Sequence, residues 1–394
     1  MHENPFSPSF SIRPERFYGR SSELDLMESA LDNPDSANRF LFMTGTRGCG
    51  KTSLLHQYAL LARQRHWTVL ETTYQDALTS LRLYADGTTG LSHDFTIKPS
   101  IALPGVSATI SGASDAKQEH DRPSVASTLV RRLSKARLSA GLFLAIDEIQ
   151  KIPETEMEEI CHAVQAAKTQ GHSIAFVIAG LPTAYQKIRH YPGCTFVQRM
   201  RRLRLGMLGK TDTIDLLRGT FAHVPELVVD QQSCEELAAF SAGHPYLLQL
   251  VGSSAYEVAV EATSGLAREI VNLDETMIRE AESRALPEYQ ENVLFNLLRG
   301  VRPGTIEYLR AMCDVADTSS TATTAAIAQR LGKTLKECSS ARSRVIDLQL
   351  AEPIARGKLR FSLPYMPLAF ENSSDIVAPT SEDIWIPRMT PSAR

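Results

Sequence analysis

The sequence predicts an α/β protein with three parts: a parallel-sheet core, a small helical domain, and a C-terminal segment of helix, turn, helix and hairpin. Short apolar runs alternate with helical patterns over residues 17–209, which favours a parallel sheet covered by helices on both faces. Residues 210–286 are predicted as helix only, because apolar residues recur there at three- and four-residue spacing. Residues 287–371 combine short helices with two strand-like runs.

Composition and charge limit the class of protein. A chain of 394 residues that is 43% hydrophobic and 22% charged can bury two or three cores. Its net charge of −3 excludes a uniformly basic surface, so any basic patch must be local. The six cysteines form neither C-x-x-C pairs nor a secreted disulfide pattern, which predicts a reducing cytoplasm. No apolar run approaches the ~18 residues of a membrane span, so we expect a cytoplasmic protein without a membrane partner.

The N-terminal elements lead up to the core. Residues 1–16 are predicted as an irregular lead-in, since prolines stand among polar residues there. A helix is expected over 21–31, where Ser21 or Ser22 can cap the first turn and Glu23 lies within it.

The apolar run 40–43 leads into a G-x-x-x-x-G-K-[ST] sequence, and an amphipathic pattern over 53–63 follows as a helix. The glycines let the backbone wrap phosphates, so that amide N–H groups and the positive helix N terminus face the negative charge. Lys51 would reach the β- and γ-phosphates, and Thr52 would offer its hydroxyl to magnesium. The alternative is a glycine-rich turn without a ligand. We predict that ATP or GTP binds, with Mg²⁺, at Gly45, Thr46, Arg47, Gly48, Cys49, Gly50, Lys51, Thr52 and Ser53.

Further apolar runs and helical patterns complete the predicted core. Strands are expected over 68–71, 142–146 and 174–178, and helices over 124–138 and 154–169. The stretch 84–121 is rich in Gly, Ser, Thr and Pro and is predicted as a surface insertion, with a hairpin over 94–110 that turns at Pro104-Gly105.

The strand over 142–146 ends in two adjacent acids. A carboxylate at the position of Asp147 can hold hydrated magnesium. Glu148 beside it can orient or deprotonate the attacking water, a role that binding alone would not need. The alternative is an ordinary strand that ends in a charged turn. Because the same chain carries an intact phosphate loop, we predict that Asp147 is a metal ligand and that Glu148 is a general base.

With these motifs the chain resembles the AAA+ superfamily, in the branch of the origin-recognition ATPases, the archaeal-type ATPases and the STAND signal-transduction ATPases. The sequence Phe-Tyr-Gly-Arg at 17–20 is similar to the element that precedes the phosphate loop in this branch and packs near the adenine. The resemblance therefore implies nucleotide contacts from Tyr18, Gly19 and Arg20. It also implies a five-stranded core, with the phosphate-loop strand near its centre, and a helical lid.

Two further matches belong to this resemblance. Arg199 stands where these proteins have an arginine before the last core strand, which implies a catalytic or sensing role. The alternative is the solvated edge of a basic strand. Gly243-His244-Pro245 matches an element that opens a lid helix and approaches the nucleotide in the STAND group. The resemblance therefore implies a nucleotide contact from Pro245.

The chain departs from the family pattern in several places. The strand over 174–178 continues into Ala179-Gly180, where many relatives carry a polar residue that senses the γ-phosphate, and Thr183 could replace it only if the turn folds back. We therefore expect slow or partner-dependent hydrolysis. We expect His244 to be a packing or capping residue, and Cys49 to be a tolerated small residue in the loop.

The C-terminal segment follows the order of a winged helix-turn-helix. Helices are expected over 324–331 and 334–348, and strands over 352–355 and 359–363, joined by 356–358. The segment precedes 372–394, which is predicted as a flexible tail.

Charge supports the same interpretation. Eight Lys/Arg stand against three acids between Arg330 and Arg360, a local net charge of +5. We expect the second helix to bury Leu335, Cys338, Val345 and Leu348. The predicted contacts to double-stranded DNA are Lys336, Ser340, Arg342, Arg344, Arg356 and Lys358. The alternative is a domain that packs on the ATPase or binds protein.

These features predict an ATP-hydrolysing switch that couples its nucleotide state to DNA binding or assembly. The alternative is a STAND-like regulatory or defence protein that hydrolyses ATP little, binds protein through its winged helix, and changes shape or self-associates with nucleotide.

Overall fold

The structure, a computed structural model, describes residues 4–8, 17–87, 95–96, 124–135, 140–262, 270–317 and 319–371. The chain forms two compact units. We call residues 11–45 and 49–206 the sheet unit, and residues 1–10, 46–48 and 207–394 the helical unit. Within the described ranges, the helices are all too short or too polar to span a membrane.

The sheet unit contains a fully parallel sheet, as the alternation of strands and helices predicted. Its strands are β1 (Phe40–Thr44), β2 (Thr68–Thr73), β3 (Phe95–Thr96), β4 (Leu142–Asp147), β5 (Ile174–Gly180) and β6 (Arg201–Arg204). They are arranged in the order β3-β2-β4-β5-β1-β6. Five of them form the expected core, and the two-residue β3 pairs with the outer edge of β2. The phosphate-loop strand β1 lies between β6 at the edge and β5, the central strand of these five, which agrees with the expected position near the centre.

Helices cover both faces of this sheet. They are α1 (Ser21–Asp32), α2 (Lys51–Gln64), α3 (Ala77–Asp86), α4 (Val125–Lys135), α5 (Glu154–Thr169) and α6 (Pro182–Ile188). Because side chains alternate along a strand, Phe42 packs with the core under α3 to α6, whereas Leu41 packs with the core under α1 and α2. Burial on both faces explains why the three inner strands β1, β4 and β5 are mostly apolar along their length.

Several predicted boundaries of the sheet unit differ from the structure. Helix α1 begins after Arg20, which has a left-handed φ of 61°, and no serine side chain caps it. Helix α2 begins at Lys51, because the loop itself ends in the left-handed Gly50. The predicted insertion begins too early, since Tyr84 still lies in α3. Strand β3 pairs in parallel with β2, and the remainder of the predicted hairpin 94–110 lies outside the described residues.

The helical unit begins with four helices and a small parallel strand pair. The helices are α7 (Lys210–Phe221), α8 (Gln231–Ser241), α9 (Pro245–Ala262) and α10 (Glu275–Tyr289), and the strands are β7 (Leu227–Val228) and β8 (Val271–Asn272). The predicted domain boundary between residues 286 and 287 does not coincide with the end of a helix. Helix α10 runs through Pro287, continues as a π-helical turn over Gln290–Phe295, and ends in α11 (Asn296–Leu298).

The C-terminal part of the helical unit combines helices with an antiparallel sheet. The elements are α12 (Pro303–Val315), β9 (Thr321–Thr323), α13 (Thr324–Arg330), α14 (Ser339–Asp347), β10 (Ala351–Ala355), β11 (Lys358–Phe361) and α15 (Leu368–Glu371). The sheet order is β10-β11-β9, and β9 was not predicted. The predicted helix 334–348 begins only at Ser339. Glu337 accepts hydrogen bonds from the backbone N–H and the hydroxyl of Thr334, both at 2.7 Å, and this turn leaves Leu335 58% exposed rather than buried.

The described N-terminal residues pack on α9. Phe6 is 3% exposed; its ring lies against Gly252, where a Cβ atom would collide with it, and 4.8 Å from the ring of Phe221. The backbone N–H of Ser7 donates to Oε1 of Gln249 at 2.9 Å. This part of the predicted irregular lead-in is therefore an anchored segment.

The anchoring of Phe6 can be tested by the substitution Phe6→Ala. We expect it to lower the free energy of unfolding of the helical unit by about 3 kcal/mol, the low end for a buried Phe because a terminal segment can detach. Ile270→Ala, at a 67% exposed position of the same unit, should change stability by less than about 0.5 kcal/mol. Urea denaturation of both variants measures the difference, and equal midpoints would contradict the packing role.

Candidate nucleotide site

The phosphate loop, residues 45–52, connects β1 to α2. Gly48 and Gly50 have φ values of 77° and 88°, a conformation that favours glycine. Gly48 also has no space for a side chain, because a Cβ atom there would lie 2.7 Å from Cβ of Tyr246 and 2.8 Å from Cε1 of His244. Two glycines of the motif are thus required by the backbone itself.

Lys51 and Cys49 occupy the inner side of the loop. The Nζ atom of Lys51 donates to the carbonyl oxygen of Gly45 at 2.9 Å. The side chain of Cys49 is fully buried in the core under α1 and α2, and its thiol packs against Gly45. This burial agrees with the expectation that Cys49 is a small residue tolerated in the loop.

Thr52 and Asp147 converge from α2 and β4. Oγ1 of Thr52 donates to Oδ2 of Asp147 at 2.5 Å, and Oδ1 of Asp147 accepts from the backbone N–H of Glu148 at 2.7 Å. Burial raises the pKa of Asp147, whereas these two hydrogen bonds and the charge of Lys51 lower it. A hydroxyl and a carboxylate oxygen at one point suit Mg²⁺, which prefers oxygen ligands and completes its shell with water and phosphate.

Glu148 is half exposed and has a left-handed φ of 53°. Its Oε2 atom pairs with Nζ of Lys151 at 2.8 Å. The predicted general base therefore lies next to Asp147, but its carboxylate is engaged by a lysine one turn further along the chain.

The end of β5 lacks a polar side chain, as predicted from Ala179-Gly180, and Thr183 is exposed on α6. A different polar group lies there. Oε1 of Gln150 accepts a hydrogen bond from the backbone N–H of Leu181 at 3.2 Å, and a Cβ atom on Gly180 would lie 2.9 Å from the same oxygen. Sequence reasoning missed Gln150, whose only signal was its position two residues after Glu148.

Arg20 links the element before the loop to the loop backbone. Its Nη2 atom donates to the carbonyl oxygen of Gly206 at 2.5 Å and to that of Cys49 at 3.3 Å, and Nη1 pairs with Glu23 at 3.3 Å. Tyr18 and Gly19 precede it and are half-buried. Arg20 thus binds protein carbonyls in this structure, a role that the resemblance did not indicate.

Arg199 is exposed in a short turn directly before β6, the position that the resemblance implied. Its side chain makes no hydrogen bond or ion pair with the residues that the structure describes. Arg202, for which no role was predicted, donates from Nε to Oγ1 of Thr44 at the end of β1 at 3.4 Å. Its guanidinium carbon lies 4.4 Å from the ring centre of Tyr185.

In the helical unit, Pro245 is the first residue of α9, as the Gly-x-Pro match implied. His244 is fully buried, and its Nδ1 atom accepts from the backbone N–H of Leu247 at 3.3 Å, so the predicted capping role is confirmed. The other ring nitrogen, Nε2, lies 3.2 Å from the carbonyl oxygen of Arg47, which belongs to the same unit.

Comparisons with known proteins agree with this geometry. Residues 16–178 match the family model of the AAA ATPase domain, and residues 293–368 match a model described as a domain of unknown function, DUF8462. The chain therefore contains an AAA ATPase domain. A search of curated proteins gave no match.

Among solved structures, the chain is similar to the ORC2 protein of Aeropyrum pernix in its ADPNP–ADP complexes. The identity is 13%, the match covers 92% of this chain and 95% of that chain, and the TM-score is 0.58. The ADP form of the same protein matches at 14% identity over the same shares, with a TM-score of 0.51. The chain thus shares the fold of that protein.

The raised pKa of Asp147 yields a stability prediction. Because its carboxyl titrates at higher pH in the folded than in the unfolded chain, ionisation at neutral pH destabilises the nucleotide-free fold. Asp147→Asn can keep both hydrogen bonds and should raise the free energy of unfolding at pH 8 by on the order of 1 kcal/mol. The gain should shrink as the pH falls and disappear below the ordinary Asp pKa of about 4, where the parent carboxyl is protonated in both states.

Denaturation of the parent and variant at pH 5 and pH 8 measures this effect. Asp230→Asn is the matched control, since hydrogen bonds from Ser233 lower the pKa of Asp230 and its removal should give no gain. A pH-independent difference for Asp147→Asn would contradict the electrostatic cause.

Proposed function

We propose that this protein is an ATP-driven switch that binds and hydrolyses ATP in its AAA ATPase domain and binds double-stranded DNA through its C-terminal part. The convergence of Thr52 with Asp147 beside Lys51 carries the first half of this proposal. The A. pernix ORC2 protein, known in ADPNP–ADP complexes and in an ADP form, shares this fold.

In the proposed reaction, Thr52 and Asp147 would hold Mg²⁺, which supplies positive charge to the phosphate oxygens. Lys51 would leave the carbonyl of Gly45 for the phosphates. Glu148 would take the proton of the attacking water, which requires its pair with Lys151 to open. That opening costs little, because both partners are about half exposed and exposed ion pairs stabilise by less than about 1 kcal/mol.

Glu148→Gln tests the hydrolysis step. The variant should keep the ATP affinity of the parent and lose at least about 100-fold in turnover, because the amide cannot accept the proton. Lys51→Ala is the comparison, since it should lose binding and turnover together. Nucleotide affinity and phosphate release measured on the full chain separate the two effects. Turnover at the parent rate in Glu148→Gln would assign Glu148 another role.

The proposal of DNA binding is supported by the charge of the C-terminal part. Its elements follow the order helix, strand, helix, helix, strand, strand, which is the order of a winged helix-turn-helix. Three of its eight basic side chains form ion pairs: Arg330 with Asp314, Lys333 with Glu307 and Arg360 with Glu352. The other five, Lys336, Arg342, Arg344, Arg356 and Lys358, have no ion-pair partner among the described residues.

Arg342 differs from the other four. It was predicted to face outward with Ser340, but it is half-buried, and its Nε atom is buried without a hydrogen-bond partner among the described residues. Burial raises the pKa of Tyr308 to about 12, and the nearby charge of Arg342 opposes this rise. Arg342 is therefore a weaker candidate for a phosphate contact than the exposed Lys336, Arg344, Arg356 and Lys358.

The wing pair Arg356 and Lys358 provides the test. Removing both should weaken binding to all DNA sequences alike and flatten the salt dependence of log affinity by roughly two units, because each phosphate contact releases counterions. The matched control removes Arg330 and Lys333, whose charges are already paired, and should leave the slope unchanged. Anisotropy titrations of the full chain with DNA at several salt concentrations measure the salt dependence of the affinity. No binding at low salt would reject this half of the proposal.

A second candidate function is a STAND-like regulatory protein that hydrolyses little ATP and uses its C-terminal part for protein contacts. One observation favours it: β5 ends in Ala179 and Gly180, without a polar side chain that could sense the γ-phosphate. This candidate predicts tight nucleotide binding with very slow turnover, and nucleotide-dependent self-association. Arg199, whose role stays a prediction in either case, would then matter for coupling and not for turnover.

A further inference from the structure

We propose that His244 is a positioning residue of the phosphate loop. Together with the first turn of α9, it holds the carbonyl groups of Arg47 and Gly48 and so directs the following N–H groups toward the phosphates. The proposal rests on the proposed nucleotide binding and adds a residue that lies outside the loop and the acidic pair.

The hydrogen bonds of His244 define a single ring state. The carbonyl oxygen of Arg47 can only accept, so Nε2, 3.2 Å away, carries the ring proton. The backbone N–H of Leu247 can only donate, so Nδ1, 3.3 Å away, is deprotonated. His244 is therefore neutral and performs two tasks at once: it caps α9 through Nδ1 and holds the loop through Nε2.

The loop carbonyls determine the direction of the loop N–H groups. In a planar trans peptide the C=O and N–H bonds point in opposite directions. His244 fixes the carbonyl of Arg47, and the backbone N–H of Tyr246 donates to the carbonyl of Gly48 at 3.2 Å. The N–H groups of Gly48 and Cys49 consequently point in the direction opposite to these two carbonyls. Among the described residues, neither of them donates to a backbone carbonyl, so both are available to an anion.

Packing holds the imidazole in place. Its ring lies edge-on to the ring of Tyr289, with 5.0 Å between the ring centres, and both residues are fully buried. Gly48 has no room for a Cβ atom because His244 and Tyr246 fill that space. The orientation of the two peptides is thus set before nucleotide arrives, and such preorganisation raises affinity by lowering the cost of ordering.

Two substitutions separate the tasks of His244. In His244→Asn the side-chain oxygen can still cap Leu247 at the Nδ1 position, but no donor reaches Arg47. In His244→Gln the amide nitrogen can replace Nε2, but the cap is lost. We expect His244→Asn to bind fluorescent ATP about five- to tenfold more weakly than the parent, the effect of one lost hydrogen bond. His244→Gln should stay within about twofold, and His244→Ala should lose affinity as the Asn variant does.

Thermal unfolding without nucleotide provides the structural readout. His244→Asn should unfold close to the parent temperature, whereas His244→Gln should unfold lower. Asp230→Ala, which removes the cap of α8, should lower stability without changing affinity. Equal affinity of the parent and the Asn variant would overturn the proposal. If the Asn variant does not fold, the Gln and Ala variants decide: equal losses of affinity in these two would also overturn it. Absence of ATP binding by the parent would instead reject the proposed function.

Discussion

The hydrogen bond between Thr52 and Asp147 joins the two motifs on which the site depends. It connects the first turn of α2 to the end of β4, two elements that are 95 residues apart in the sequence. Because Asp147 is nearly fully buried, its carboxylate needs hydrogen bonds from Thr52 and from the backbone N–H of Glu148 to offset the cost of burial. A buried acid with a raised pKa is costly for stability, and the proposed binding of Mg²⁺ and nucleotide beside Asp147 would offset that cost.

The strand order determines what lies around this bond. Strand β5 separates β1 from β4, and Gly180 at its end pairs with Thr44, the last residue before the loop. The carboxyl ends of parallel strands meet at one edge, so the loop, the acids and the end of β5 share it. Ile149 and Gln150 fill the space beside Gly180, and any side chain there would collide with them. A glycine at this position is thus explained by packing, with Gln150 as the polar group next to it.

The C-terminal part shows how tertiary contacts redistribute a charge pattern. The sequence indicated a local net charge of +5, but two acids of α12, Glu307 and Asp314, form ion pairs with Lys333 and Arg330. Arg342 is half-buried near Tyr308, because it stands four residues after Cys338 and three before Val345, on the buried face of α14. The exposed basic residues that remain lie before and on α14 and at the turn between β10 and β11.

The sequence alone determined the parallel α/β sheet, the phosphate loop and the paired acids, because these depend on local patterns: apolar runs, glycines at fixed spacing, and charges at strand ends. It also indicated the cap by His244 and the helix that begins at Pro245. Only the tertiary structure decided that β1 lies next to the edge strand, that Arg20 binds the carbonyl of Cys49, and that His244 reaches Arg47. These contacts join residues that are distant in the sequence, and no local periodicity or spacing specifies which distant groups will meet.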